Sequence, residues 1–259
     1  MKIHPTAIIH PKTIIDESVE IGPFCIVGEN VEIKKGSKLL SHVVLKGPTI
    51  IGKENIFYQF STIGEDTPDK KFKGEKTKLE IGDRNIFREG VTVHRGTVQD
   101  KGITSIGSDN LFMAYTHVAH DCVVGDGNVF ANNAGIAGHV IVGNNITIGA
   151  LTTIHQFCSI GDYSFIGMNT SINMDIPAYV KVAADPARVI GLNSVGMSRN
   201  NITADSISLI KKAYKLVYRK GLKIDEAIKK SKKLNEGVDD PFLNIFIQSL
   251  EVSERGILR

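Results

Sequence analysis

The chain has no tryptophan, three cysteines and eight prolines in 259 residues, and its charges nearly cancel, with 31 lysines and arginines against 28 acidic residues. Each shortage excludes something. Three cysteines, Cys25, Cys122 and Cys158, rule out a disulfide-stapled scaffold, and their spacing is not that of a metal knuckle. No apolar run approaches the ~18 residues that a membrane-spanning helix needs. A near-neutral total gives no reason to expect nucleic acid as a partner. Periodic residues start at Ile3, which leaves no room for a signal peptide. These readings together point to a cytoplasmic protein without integral membrane association.

What the chain does have is a period of six. From Ile3 every sixth residue is large and apolar through Ile9, Ile15 and Ile21 to Ile63. From Ile106 the same spacing runs through Phe112, Val118 and Val124 to Ile172. No helix and no ordinary sandwich repeats at six. Three hexads make an 18-residue coil, and stacked coils bury one aliphatic row per side, so the period predicts a parallel β-helix. Twenty-five glycines suit its tight corners. The cysteines fall at the fifth position of their hexads, a slot read as a small buried corner site.

Two stretches break the array. Residues 66–78 are polar, with Asp69 and Glu75 in slots that cannot face a core, and read as a loop thrown out of the coil. A second excursion follows His94-Arg95-Gly96-Thr97, around residues 99–104. The hexads fade after Ile172, and residues 188–198 read as a connector. Then a helical period begins. Thr203 is the expected N-cap of a first helix closed by Gly221, Asp225 the start of a second, and Asp240-Pro241 the start of a third. The division is a β-helix over 1–195 and a small α-helical domain over 196–259. The tail is modestly basic, with twelve lysines and arginines against eight acidic residues in 203–259. Flat solenoid faces left apolar are economically covered by trimer formation.

Residues 18 apart stack ~4.8 Å from one coil to the next. His120, Gly138 and Gln156 therefore form a column, with His139 and Phe157 beside it. An imidazole next to the carboxylate of Asp121 suits general-base work at neutral pH. A glycine beneath it leaves the main-chain N–H open to a developing oxyanion. His117 and His155 complete a cluster of four histidines in 39 residues. Zinc is the rival reading of that cluster, but β-helical carbonic anhydrases use a His-x4-His pair, and here His117 and His120 are three apart. No metal site is expected. A non-catalytic β-helical scaffold would also carry the hexads, but would not require this column.

His117-Val-Ala-His120-Asp121-Cys, Ala137-Gly138-His139, His155-Gln156-Phe157-Cys, His94-Arg95-Gly96-Thr97-Val98-Gln99 and the closing Ser253-Glu-Arg-Gly-Ile-Leu-Arg259 together resemble the UDP-N-acetylglucosamine O-acyltransferases. The resemblance covers essentially the whole chain. It implies a left-handed coil, although parallel crossovers are normally right-handed. It also implies a cytoplasmic homotrimer with sites between subunits. The activity implied is transfer of an (R)-3-hydroxyacyl group from acyl carrier protein to the 3-hydroxyl of UDP-N-acetylglucosamine, the first step of lipid A biosynthesis. By the same resemblance His120 is the base, Asp121 its support and Gly138 N–H the oxyanion donor. His117, His139 and Gln156 would contact sugar, phosphate or acyl chain. His155, Asn193 and Arg199 would hold the nucleotide or the phosphopantetheine, and Asp69 and Lys71 match positions that bind the sugar nucleotide. No cofactor is implied beyond the carrier's phosphopantetheine, and the basic tail suits an acidic carrier. Three positions depart from the family's pattern. Val195 stands where a glutamate is common, Asn200 follows Arg199 where two arginines are common, and Met168 takes the place of the acyl-chain ruler, glycine in some members. A methionine there implies a shorter acyl chain. The paralogous N-acyltransferase is the nearest alternative, and it usually carries an additional N-terminal domain.

Overall fold

The computed structural model describes residues 2–259, and it contains the solenoid that the period predicts. Twenty-eight short strands form three parallel sheets of eleven, nine and eight strands. The chain visits the first, second and third sheet in turn, so each strand pairs with the one a full coil later, as Ile8↔Ile26 and Ile9↔Val27 do. The hexad residues point inward. Ile21, Val27, Ile33, Ile51, Ile63 and Val118 are all at most 2% exposed. Along the first sheet Phe57, Phe87, Phe112 and Phe130 stack face to face at 4.8–4.9 Å inside the prism. The expectation for the cysteines holds, since all three are buried free thiols. Burial raises Cys122 to about 12 and Cys158 to about 11, so neither is a nucleophile at neutral pH.

Most turns place their second residue at positive φ, even with large side chains such as Phe24 (57°), His42 (55°) and Phe60 (64°). At the corner from third to first sheet, Asn55, Asn85, Asn110 and Asn128 form a buried ladder. The Oδ1 of each accepts the next coil's main-chain N–H at 2.8–3.0 Å, and Nδ2 donates to the carbonyls of Gly82, Gly107, Gly125 and Gly143 at 2.8–2.9 Å.

Both excursions leave at the corner from second to third sheet. The first lies between strands Thr62–Glu65 and Lys78–Ile81, so Lys78 belongs to the wall. The second lies between Thr92–His94 and Ile103–Ile106. It starts and ends earlier than the expected 99–104, because Ile103 and Thr104 pair with Lys78 and Leu79. Neither loop disturbs the register beyond it, as Ile51↔Ile81 and Ile81↔Ile106 show.

The solenoid ends with strand Val180–Ala183, still parallel to Phe165–Ile166, followed by the antiparallel strand Arg188–Leu192. Helices follow. α1 (Ser194–Arg199) begins inside the expected connector, capped by Asn193. α2 (Ala204–Tyr218) has Thr203 as N-cap as expected, but stops at Arg219, two residues before Gly221. α3 spans Ile224–Asn235 and α4 spans Pro241–Glu251, the latter capped by Asp240 Oδ1, which accepts from Leu243 N at 2.7 Å. The closing segment seals the last coil, where Asp175 bonds to Gly256, Leu258, Ser253 and Arg255. Among the described residues no helix is long and apolar enough to cross a membrane.

Candidate active site

An open groove runs along the second sheet below the two loops, lined by Pro68 and Asp69 above, His117, Ala119 and His120 in the middle, and Gly135 to Gly138 and Thr153 below. The column predicted from 18-residue spacing is its centre. A Cβ built on Gly138 would stand 2.5 Å from His120 Cε1 and 2.7 Å from its Nε2, so the imidazole lies where a side chain would be. Only glycine permits that. Among the described residues no acceptor meets Gly138 N–H, which is left for a ligand.

His120 and Asp121 are neighbours in sequence, and on a flat strand they would point apart. They sit instead on the turn, with Asp121 at φ 58°, and the corner folds the carboxylate back under the ring. His120 Nδ1–H donates to Asp121 Oδ2 at 2.9 Å, because a carboxylate can only accept. That leaves Nε2 without a partner among the described residues, on a side chain that lines the groove beside Gly138. The Asp121 side chain is fully buried. Burial alone would raise its pKa, but hydrogen bonds from His120 and from Thr97 outweigh it and hold the carboxyl below its usual range. Thr97 grips it twice, through N–H at 2.8 Å and through Oγ1 at 2.6 Å. Asp121 N–H in turn donates to Thr104 Oγ1 at 2.8 Å.

Further histidines extend the cluster along the coil axis. His139 stacks on Phe157 at 4.4 Å and 6°, and meets His120 edge to face at 5.1 Å. Its Nδ1 pairs with Asp100 Oδ2 at 2.9 Å. His117 bonds through Nδ1 to Thr92 Oγ1 at 2.7 Å and meets His94 edge to face at 4.9 Å. Burial, reinforced by neighbouring histidines, depresses the pKa of His94 to about 4 and also lowers that of His117. Both are neutral at pH 7. Ligand atoms of His120, Asp121 and His139 lie within 4.8 Å of one another, so any metal would meet these three rather than the His117–His120 pair. Nδ1 of both imidazoles is already committed to a carboxylate. The arrangement can take a proton from a hydroxyl at Nε2 and stabilise an adjacent oxyanion at Gly138 N–H.

The chain is similar over its full length to proteins of one kind. Residues 175–258 match domain 2 of UDP-N-acetylglucosamine O-acyltransferase, and residues 103–138 match the bacterial transferase hexapeptide. The acyl-[acyl-carrier-protein]–UDP-N-acetylglucosamine O-acyltransferase of Stutzerimonas stutzeri is 48% identical, with 99% of each chain covered, and that of Saccharophagus degradans is 51% identical with the same coverage. The crystal structure of UDP-N-acetylglucosamine O-acyltransferase from Moraxella catarrhalis superposes with a TM-score of 0.97 at 49% identity, covering all of both chains. The chain belongs to the UDP-N-acetylglucosamine O-acyltransferase family. Its hexapeptide repeats, parallel sheets and solved relatives fit a left-handed β-helix.

The family's remaining motif positions divide between groove and periphery. Asp69 lines the groove, and its carboxylate accepts Lys71 N–H at 2.9 Å, while Lys71 itself is exposed. His155 and Gln156 are exposed on the coil below, joined by a 3.1 Å bond from His155 Nδ1 to Gln156 O. Asn193 is not in the groove. Its side chain donates to Tyr163 O and accepts from Gly196 N, which places it at the opposite corner, between third and first sheet. Arg199 lies exposed in the last turn of α1 beside Asn200, and Val195 is 63% exposed. Met168 is 68% exposed at the corner between first and second sheet and does not line the groove of its own chain. Sequence reasoning missed Thr97, Thr104, Asp100 and Thr92 as partners of the site. Thr97 was within a quoted motif, but no period relates a loop residue to a coil.

Proposed function

We propose that this protein transfers an (R)-3-hydroxyacyl group from acyl carrier protein to the 3-hydroxyl of UDP-N-acetylglucosamine, the first step of lipid A biosynthesis. The observation that carries the reading is His120, tied to buried Asp121, lying over a Gly138 whose N–H is free. His120 Nε2 takes the proton of the sugar hydroxyl as its oxygen attacks the thioester carbonyl. The new C–O bond leaves negative charge on the carbonyl oxygen, which Gly138 N–H receives. Collapse breaks the C–S bond, and the proton held on His120 passes to the departing thiolate, returning the imidazole to neutral. Asp121 keeps the ring in one tautomer and faces the charge that develops on it. A thioester is already activated, so positioning, a base and an oxyanion donor suffice. No cofactor beyond the carrier's phosphopantetheine enters the reaction.

The working unit in this reading is a cytoplasmic homotrimer with sites between subunits. Exposed Phe24, Phe60, Tyr115 and Leu151 recur on alternate coils along the corner between first and second sheet, with His42, Gly90 and Asn133 between them, an edge with large apolar groups suited to burial against another copy. Asn193, Arg199 and Met168, which lie away from the groove of their own chain, would then serve a neighbour's. Lys212, Lys215, Lys220 and Lys233 border a cleft between α2 and α3 floored by Leu216 and Leu234, a basic surface for the acidic carrier.

Incubation of the purified protein with 3-hydroxyacyl carrier proteins of graded chain length and UDP-N-acetylglucosamine tests this directly. Mass analysis should find an ester on the sugar nucleotide, with shorter chains preferred, and a shift toward longer ones in Met168→Gly. Turnover only with a 3-amino sugar nucleotide would indicate the N-acyltransferase, and no transfer to either would overturn the reading.

A further inference from the structure

We propose that Asp100 is a positioning residue for this transfer, acting through His139 on His120, and that loop 95–102 is the clasp that orients both imidazoles. The inference rests on the function proposed above. Asp100 Oδ2 sits 2.9 Å from His139 Nδ1, and the His139 side chain is only 14% exposed. A carboxylate only accepts, so Nδ1 carries the hydrogen and the ring is held in one of its two flips. His139 has little other freedom. Its main chain is locked in the turn at φ 63°, Phe157 lies flat against one face at 4.4 Å, and its contact with His120 is edge to face at 88°. Among the described residues Asp100 alone hydrogen-bonds a ring nitrogen of His139, so it decides which edge of His139 meets His120.

The same turn of chain holds the other pair. Thr97 O accepts from Asp100 N at 3.3 Å and from Gly102 N at 3.0 Å, which closes 97–102 into one turn. From one end of it Thr97 grips Asp121, and from the other Asp100 grips His139. Two carboxylate–imidazole pairs, one on the coil of His120 and one on the coil below, are thus set by a single short loop. Asp121 holds His120 from behind. His139, held by Asp100, forms the wall on its flank, so the base cannot swing away along the coil axis when it takes the proton.

A surface ion pair alone would contribute little to stability and nothing to turnover, so the test separates the two roles. In Asp100→Asn of the full-length protein, kcat should fall about tenfold, the size of a small misplacement of a catalytic group, with KM for both substrates within about twofold of wild type. Asp100→Glu, which restores the carboxylate, should recover most of the loss. Histidine labelled at Cδ2 gives a second readout that needs no turnover, because its carbon shift distinguishes the two tautomers. Wild type should show one histidine as the Nδ1–H form that Asp100→Asn converts to a mixture. An unchanged kcat, a loss confined to KM, or an unchanged tautomer would overturn the proposal. Absence of acyl transfer by the wild type would instead defeat the function proposed above, and the tautomer measurement would still judge Asp100.

Discussion

The corner that carries Asn55, Asn85, Asn110 and Asn128 and the corner that carries His120, Asp121 and His139 are built on the same turn. Each puts a large residue at positive φ, Arg84 and Asp109 in one, Asp121 and His139 in the other. Each lines up polar side chains coil above coil. In the asparagine corner every side-chain oxygen and nitrogen meets a main-chain partner from a neighbouring coil, and the ladder is dry. In the histidine corner only half of each imidazole is used. Nδ1 is tied to a carboxylate, while Nε2 of His120 and the Gly138 N–H, on two residues that line the groove, have no partner among the described residues. The same scaffold becomes a structural rivet where its polar groups are mutually satisfied, and a site of chemistry where one set is left open.

The largest effect should come from the open corner. His120→Ala is expected to lower the acyl-transfer rate by about 10²–10⁴-fold, the range for a lost general base, with an unchanged thermal midpoint. A loss below about tenfold in folded protein would make this corner as structural as the other. Gly138→Ala should follow at about 10²-fold, because the new methyl occupies the place of the His120 ring and displaces it. Wild-type turnover in that variant would mean that the imidazole works from elsewhere.

The closed corner should answer in stability alone. Asn110→Leu strands Asn128 N–H and Gly125 O in the interior, each worth 1–3 kcal/mol, so about 3 kcal/mol of stability should disappear while kcat and KM hold. Denaturant titration beside steady-state kinetics reads both, and a matching loss of activity would blur the contrast. The smallest effect is on pH. His94 titrates near 4 when folded and near 6.5 when unfolded. The unfolded chain therefore binds the extra proton between those values, and stability falls as pH drops from about 6.5 to about 4. A shift of this size amounts to about 3 kcal/mol at full burial, and to about 2 kcal/mol for this partly open ring. His94→Gln should flatten that part of the curve, and an unaltered curve would show that His94 is charged in the fold.

The two corners were not equally legible in the sequence. A strict period of six has one structural solution, so the wall, the buried cysteines and the two interruptions could be placed from residue spacing. The column of His120 and Gly138 followed from the same arithmetic. What spacing cannot supply is anything that depends on a loop's path or a turn's dihedral angles. The folding of Asp121 back under its neighbour needs the left-handed turn, and the contacts of Thr97 and Asp100 come from segments with no period. The asparagine ladder was hidden for another reason. It occupies the fifth hexad slot, which the cysteines marked as a small buried corner site, and the larger asparagine fits because the glycine carbonyls pass close by. α1 was missed because six residues carry too little periodicity to stand out from a connector.

The indifference of the wall to its two loops has a consequence for how such a protein can change. A strand in this solenoid must meet the strand one coil below it, but the length of chain spent between them at a corner is unconstrained. Because closing a loop twice as long costs only about 0.6 kcal/mol more, residues can be gained or lost above His120 at almost no expense to the core. The part of the roof built by the first loop, with Pro68 and Asp69, can be rewritten by inheritance while the wall and the grip of Thr97 and Asp100 stay fixed.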